Sequence, residues 1–107
     1  MKRLSIVING FGHVDWWKAC LRSVLQVSGE GVEILCVDDA SGDGETERFL
    51  RELSSRDDRI VPVLRTSNGG VCVSRNEALD LAQGERVAFV DYDDTVDASV
   101  YGKALAF

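Results

Sequence analysis

Three carboxylates, Asp91, Asp93 and Asp94, stand within four residues at the end of the apolar run Val87-Ala88-Phe89-Val90. Charges this close repel one another, and removing them from water is costly unless something positive shares them. A solvated turn would accommodate them. So would a divalent cation, because hard cations take oxygen ligands and can bridge to phosphate oxygens. The local residues leave both readings open.

Two further groups carry comparable chemistry. Asp38 and Asp39 follow the apolar run Val32–Val37. They could form a turn and helix cap with Ser41 and Asp43. Alternatively, one of them accepts hydrogen bonds from a base imide or a ribose hydroxyl. Neighbouring side chains on a strand point opposite ways, so one of the pair is expected to face a cleft. Asn68-Gly69-Gly70 precedes a helical pattern holding Arg75. Glycine, here Gly70, lets backbone approach a ligand closely, and Arg75 could neutralise a carboxylate, contact a nucleotide or be a solvated helix charge. Phe11 sits between Gly10 and Gly12, as a core residue or as a surface on which a base stacks.

These groups need elements to hold them. Apolar β-branched runs predict strands at Leu4–Ile8, Val32–Val37, Arg59–Leu64 and Val87–Val90. Helical spacing predicts four helices between and after them. The first is capped by Asp15, with Trp16, Ala19, Cys20, Val24 and Val27 inward. The second runs from about Glu45 to Ser54 around Phe49, Leu50 and Leu53. The third runs from about Val71 to Ala82 and buries Val71, Ala78, Leu79 and Ala82. The last is capped by Asp97 and carries Val100, Tyr101, Ala104 and Leu105. Alternation of this kind gives an α/β fold, a three-layer α/β/α sandwich on a mainly parallel sheet. Pro62 lacks a ladder donor, so its strand belongs at an edge. The expected order is 3-2-1-4, with ligands bound outside the carboxyl ends where the order reverses.

At 107 residues the chain is read as one domain. A net charge of −6 argues against a nucleic-acid partner. No apolar stretch approaches the roughly 20 residues of a transmembrane helix. The basic start lacks a signal-peptide pattern, so a cytoplasmic location is expected. Cys20, Cys36 and Cys72 have neither zinc-like nor paired spacing and read as small hydrophobes in a reducing compartment. A dinucleotide-binding reading of Gly10-Phe11-Gly12 meets Asp15 where a pyrophosphate should approach a helix. A phospho-acceptor receiver module would need its acidic pair after the first strand, not the second. A non-catalytic interaction module that kept the fold stays open.

Four segments in this order resemble an inverting, GT-A type glycosyltransferase of family 2: Leu4–Ile8 with the Phe11 turn, Ile34–Asp43, Asn68–Asn76 and Gly84–Asp94. The resemblance runs to about Tyr101. It implies a nucleotide-diphospho-sugar donor and transfer to a hydroxyl of a sugar or glycan acceptor. By that similarity Phe11 stacks on the base, Asp39 with Asp38 beside it reads the base, and Arg75 lies near the nucleotide. Asp91 and Asp93 match the D-x-D metal pair, Asp91 near the ribose and Asp93 on a Mg2+ or Mn2+ bridging the diphosphate. Members commonly carry Pro-x-Tyr-Asn where this chain has Asn9-Gly10-Phe11-Gly12. Their acceptor-binding half, with its catalytic base, continues further than Phe107. Residues 1–107 are therefore expected to form a truncated, donor-binding half-domain that self-associates through Val100, Leu105 and Phe107.

Overall fold

A computed structural model of the chain describes residues 2–27 and 31–94. The elements alternate as β1 (Leu4–Gly10), α1 (Val14–Val24), β2 (Val32–Asp38), α2 (Glu45–Arg56), β3 (Ile60–Leu64), α3 (Gly70–Leu81) and β4 (Arg86–Asp91). All strand pairings are parallel, in the order β3-β2-β1-β4. β1 and β2 are internal and bury every residue, as strands covered on both faces must. β3, with Pro62 opposite Cys36, lies at the edge as its missing donor requires. The helix expected after Asp97 lies outside the described residues, and with it Val100, Leu105 and Phe107.

Alternation along β1 divides the core. Leu4, Ile6 and Ile8 face α1 and α2, where Trp17, Cys20, Leu21, Val24 and Leu50 cover them. Val7 faces the other way, with Leu35, Val37 and Val63, onto Ala78 of α3. The result is three layers around one parallel sheet. No helix among the described residues is long and apolar enough to cross a membrane.

Two helices present different faces from those the sequence suggests. α1 begins at Val14 after His13, whose backbone is left-handed (φ 53°) and offers no side-chain cap. Asp15 therefore lies in the first turn instead of capping it, where its charge complements the helix dipole. The inward residues are Trp17, Cys20, Leu21 and Val24, while Trp16 and Ala19 are exposed. α3 buries Ser74 and Ala78, and leaves Val71 and Leu79 half exposed at 51% and 45%. Small residues one turn apart let this helix sit close to the sheet; the larger ones flank that line. In α2, Leu50 is buried and Phe49 and Leu53 pack against it, as expected. Asp43 stabilises its start by accepting bonds from the Thr46 amide (3.0 Å) and hydroxyl (2.9 Å).

One buried network fixes where α3 hands over to β4. The Ser5 hydroxyl and the Gln83 amide donate to Glu33 Oε2 at 2.5 and 2.6 Å, and the Gly84 amide donates to Ser5 Oγ at 2.8 Å. The Glu33 carboxylate thus has its donors, and β4 enters the sheet beside β1 in a fixed register, with Asn9 opposite Asp91.

Candidate functional site

The carboxyl ends of β1, β2 and β4 open onto a cavity of about 410 Å3, walled by Phe11, Asp39, Gly70, Ser74, Asp91 and Asp93 among others. It lies where the strand order reverses around β1. The β1–α1 turn forms one lip. Gly12 and His13 there have positive φ, 66° and 53°. The turn is pinned at three points: the Asp39 amide donates to Gly10 O (3.0 Å), the Tyr92 hydroxyl to Phe11 O (2.7 Å), and the Gly12 amide to Ser41 Oγ (2.6 Å). Phe11 projects from it, 49% exposed.

The two aspartates after β2 diverge. Asp38, the last residue of β2, accepts from the Ser41 amide and hydroxyl. It lines a separate depression with Asp43 and Glu47, away from the cavity. Burial pushes its carboxyl above the usual range; the Ser41 bonds offset part of that, and Asp43 and Glu47 add to it.

Asp39 turns into the cavity. Its carboxylate accepts the Gly69 amide at 3.0 Å and the Gly70 amide at 2.9 Å, at the N-terminus of α3. Arg65 Nε stands 3.4 Å from it and 3.2 Å from Glu77. Burial works to raise the Asp39 carboxyl, but the two amides and the guanidinium outweigh it and hold it below the usual range. The anion-binding end of α3 is thus already filled by a side chain of this protein.

The opposite wall is acidic and open. Asp91, Asp93 and Asp94 each offer a carboxylate oxygen, all within 4.8 Å of one another, and all three are exposed. The Asp94 amide closes the turn onto Asp91 O at 3.0 Å. Arg75 partly compensates Asp91, with Nη2 at 3.3 Å, while its Nε lies 3.4 Å from Asn9 Oδ1 and its guanidinium lies over the Phe89 ring. Among the described residues one cation meets three carboxylates, which leaves net negative charge there. An all-oxygen set on an exposed turn, with room for water and phosphate oxygens, suits Mg2+ or Mn2+.

The fold therefore brings Phe11, Asp39, Gly70, Asp91 and Asp93 around one cavity, with Arg75 behind Asp91, and turns Asp38 aside. Three contributors were not singled out from sequence, whereas Asp94 was already read there as part of the acidic cluster. Ser74 is buried on the cavity wall. Arg65 and Tyr92 act on partners far away in the chain, and no local pattern marks them.

Comparison with known proteins bears on the family and the fold. The family profile "Glycosyl transferase family 2" matches residues 5–107. A putative teichuronic acid biosynthesis glycosyltransferase of Bacillus subtilis, TuaG, is 36% identical over 104 residues, covering 97% of this chain and 41% of that protein. The chain thus spans about two fifths of that relative's length. Among solved structures, S. aureus TarS 1–349 superposes with a TM-score of 0.85 at 26% identity, covering 97% of this chain and 31% of TarS. It has also been solved in complex with UDP-GlcNAc. A mannosyltransferase from Pyrobaculum calidifontis, in complex with GDP-Man and Mn2+, superposes with a TM-score of 0.79 at 24% identity, covering 87% of this chain and 28% of the other, a likeness of fold. The GT-A sheet, the cavity at its switch point and the matching profile lead to one assignment: this chain belongs to glycosyl transferase family 2.

Proposed function

We propose that this chain is the donor-binding part of an inverting glycosyltransferase that takes a nucleotide-diphospho-sugar and a divalent cation. The polarity of the cavity carries the reading. At one end Asp39, its charge balanced by α3 and Arg65, lines the cavity beside the exposed ring of Phe11. That end suits a base, stacked and read through its N–H edge. At the other end Asp91, Asp93 and Asp94 lack sufficient positive charge. A diphosphate would be repelled there unless Mg2+ or Mn2+ came with it. Arg75 holds Asp91 in place from behind, and the backbone of β4 fixes the spacing of the turn.

When bound, the cation supplies Lewis-acid stabilisation of the charge that builds on the departing nucleoside diphosphate. The residues described here bind and orient the donor. No base that would deprotonate a sugar or glycan acceptor is identified among the described residues, so donor binding without transfer is expected of this chain alone. The buried thiols Cys20 and Cys36 fit a reducing cytoplasm.

Calorimetric titration with UDP, GDP, ADP and CDP, with and without Mn2+, tests the reading. At least one should bind, and at least about tenfold more tightly with Mn2+ (1.4 kcal/mol). No metal-dependent binding by any of the four would overturn the donor-site assignment. Robust sugar transfer by the 107-residue chain would overturn the expectation of donor binding without transfer.

A further inference from the structure

Tyr92 stands between the two aspartates of the D-x-D pair, yet it does not follow them toward solvent. Its ring folds back over β1 and packs on Trp17 and Trp16, with ring centroids 5.4 Å away in each case. Its hydroxyl then reaches the Phe11 carbonyl at 2.7 Å. The space it occupies exists because residue 10 is glycine. A Cβ there would lie 2.5 Å from Tyr92 Cδ2 and 2.7 Å from Trp17 Cζ2, closer than any such contact tolerates. Gly10 and Tyr92 are therefore complementary, and together they join the two lips of the cavity.

We infer that Tyr92 is a positioning residue that couples the cation end of the cavity to the base end, so that ordering of the acidic turn is transmitted to the Phe11 turn. The inference rests on the donor-site reading above for what each end binds. Among the described residues, three bonds hold the Phe11 turn. Those from the Asp39 amide and to Ser41 Oγ come from the β2 side and do not involve β4. Only the Tyr92 bond comes from the acidic turn. A cation held by Asp91 and Asp93 would restrain the backbone on both sides of Tyr92, and with it the direction of its ring. The hydroxyl at the far end of that rigid ring then fixes the carbonyl of the residue whose side chain faces the cavity. Such coupling is reciprocal: what orders one lip favours binding at the other.

Tyr92→Phe isolates the hydroxyl, because the ring keeps its contacts with Trp16 and Trp17. Titration of the 15N-labelled chain with Mg2+, followed by amide NMR without nucleotide, reads both lips separately. In the unsubstituted protein, the Asp91–Asp94 amides and those of Phe11, Gly12 and His13 should shift with a common midpoint. In Tyr92→Phe, the Asp91–Asp94 response should persist with a midpoint within about twofold, while the Phe11–His13 shifts fall to less than about half. Equal Phe11–His13 responses in the two proteins would overturn the coupling, as would responses confined to Asp91–Asp94 in the unsubstituted protein. No response at Asp91–Asp94 would overturn the cation site itself and the coupling with it. A loop merely loosened by the substitution would change resting shifts without selectively removing the Mg2+-dependent ones.

Discussion

The strands on either side of β1 both end in clustered carboxylates, and the two clusters have opposite physics. After β2, Asp38 and Asp39 are 5% and 6% exposed, and each has donors built around it: Ser41 for one, the start of α3 and Arg65 for the other. After β4, Asp91, Asp93 and Asp94 are exposed, with Arg75 touching only Asp91. The same residue type at equivalent places in the sheet is thus a structural element in one turn and an unsatisfied charge in the other. Acidic crowding alone therefore says little; the two turns differ in how far the described residues compensate the charge.

The strongest way to break this contrast is Asp39→Ala. It removes the acceptor for two amides at a helix start and the more buried of the two carboxylates beside Arg65, whose side chain is 12% exposed. Glu77 stays within 3.2 Å of Arg65 and limits the damage. The expected loss is about 2–4 kcal/mol of unfolding free energy. Chemical denaturation checks it. A loss below about 1 kcal/mol would mean that Asp39 is not a structural anchor.

Asp93→Asn should do the reverse. Among the described residues its side chain has no structural partner to lose, and one repulsive charge disappears. Stability should stay within about 0.5 kcal/mol, while Mn2+ affinity falls by at least about tenfold. Denaturation and metal titration on one preparation decide it. A large stability loss with unchanged metal affinity would erase the distinction between the two turns.

The sequence makes some of this contrast legible and conceals the rest. Strand order and the edge position of β3 follow from alternation and from Pro62, because such patterns are local. The divergence of Asp38 and Asp39 follows from the two-residue period of a strand. What compensates each cluster is not local. The amide that satisfies Asp39 belongs to Gly69, 30 residues on, and the carbonyl that holds Tyr92 belongs to Phe11, 81 residues back. Helix faces fail for a different reason. In α3 the close approach to the sheet selects Ser74 and Ala78, so size, not hydrophobicity, decides what is buried. In α1, adjacent tryptophans fit the helical period almost equally well, and it is Trp17 that fills the space beneath Tyr92.

The finest distinction lies within the β2 pair, and pH separates its members. Asp39 has a folded-state value held below the ordinary carboxylate range, so its contribution is present above the unfolded value of about 3.9 and is lost as pH falls through the folded one. The Asp39→Ala deficit should therefore shrink in acid. Asp38 is shifted upward by burial, so its favourable contribution is complete below about pH 3.9 and is lost as pH rises through the raised value. At neutral pH it is a buried charge with incomplete compensation. Asp38→Asn keeps an oxygen for the Ser41 amide and hydroxyl while removing that charge. It should stabilise the protein at pH 7, by no more than about 1 kcal/mol because Ser41 already offsets part of the cost. The gain should vanish as pH falls below about 4. Denaturation midpoints across pH 3–8 for the two variants and the parent test both signs at once. A stabilisation by Asp38→Asn that persisted unchanged at pH 3 would show that its origin is packing, and would leave the two aspartates electrostatically alike.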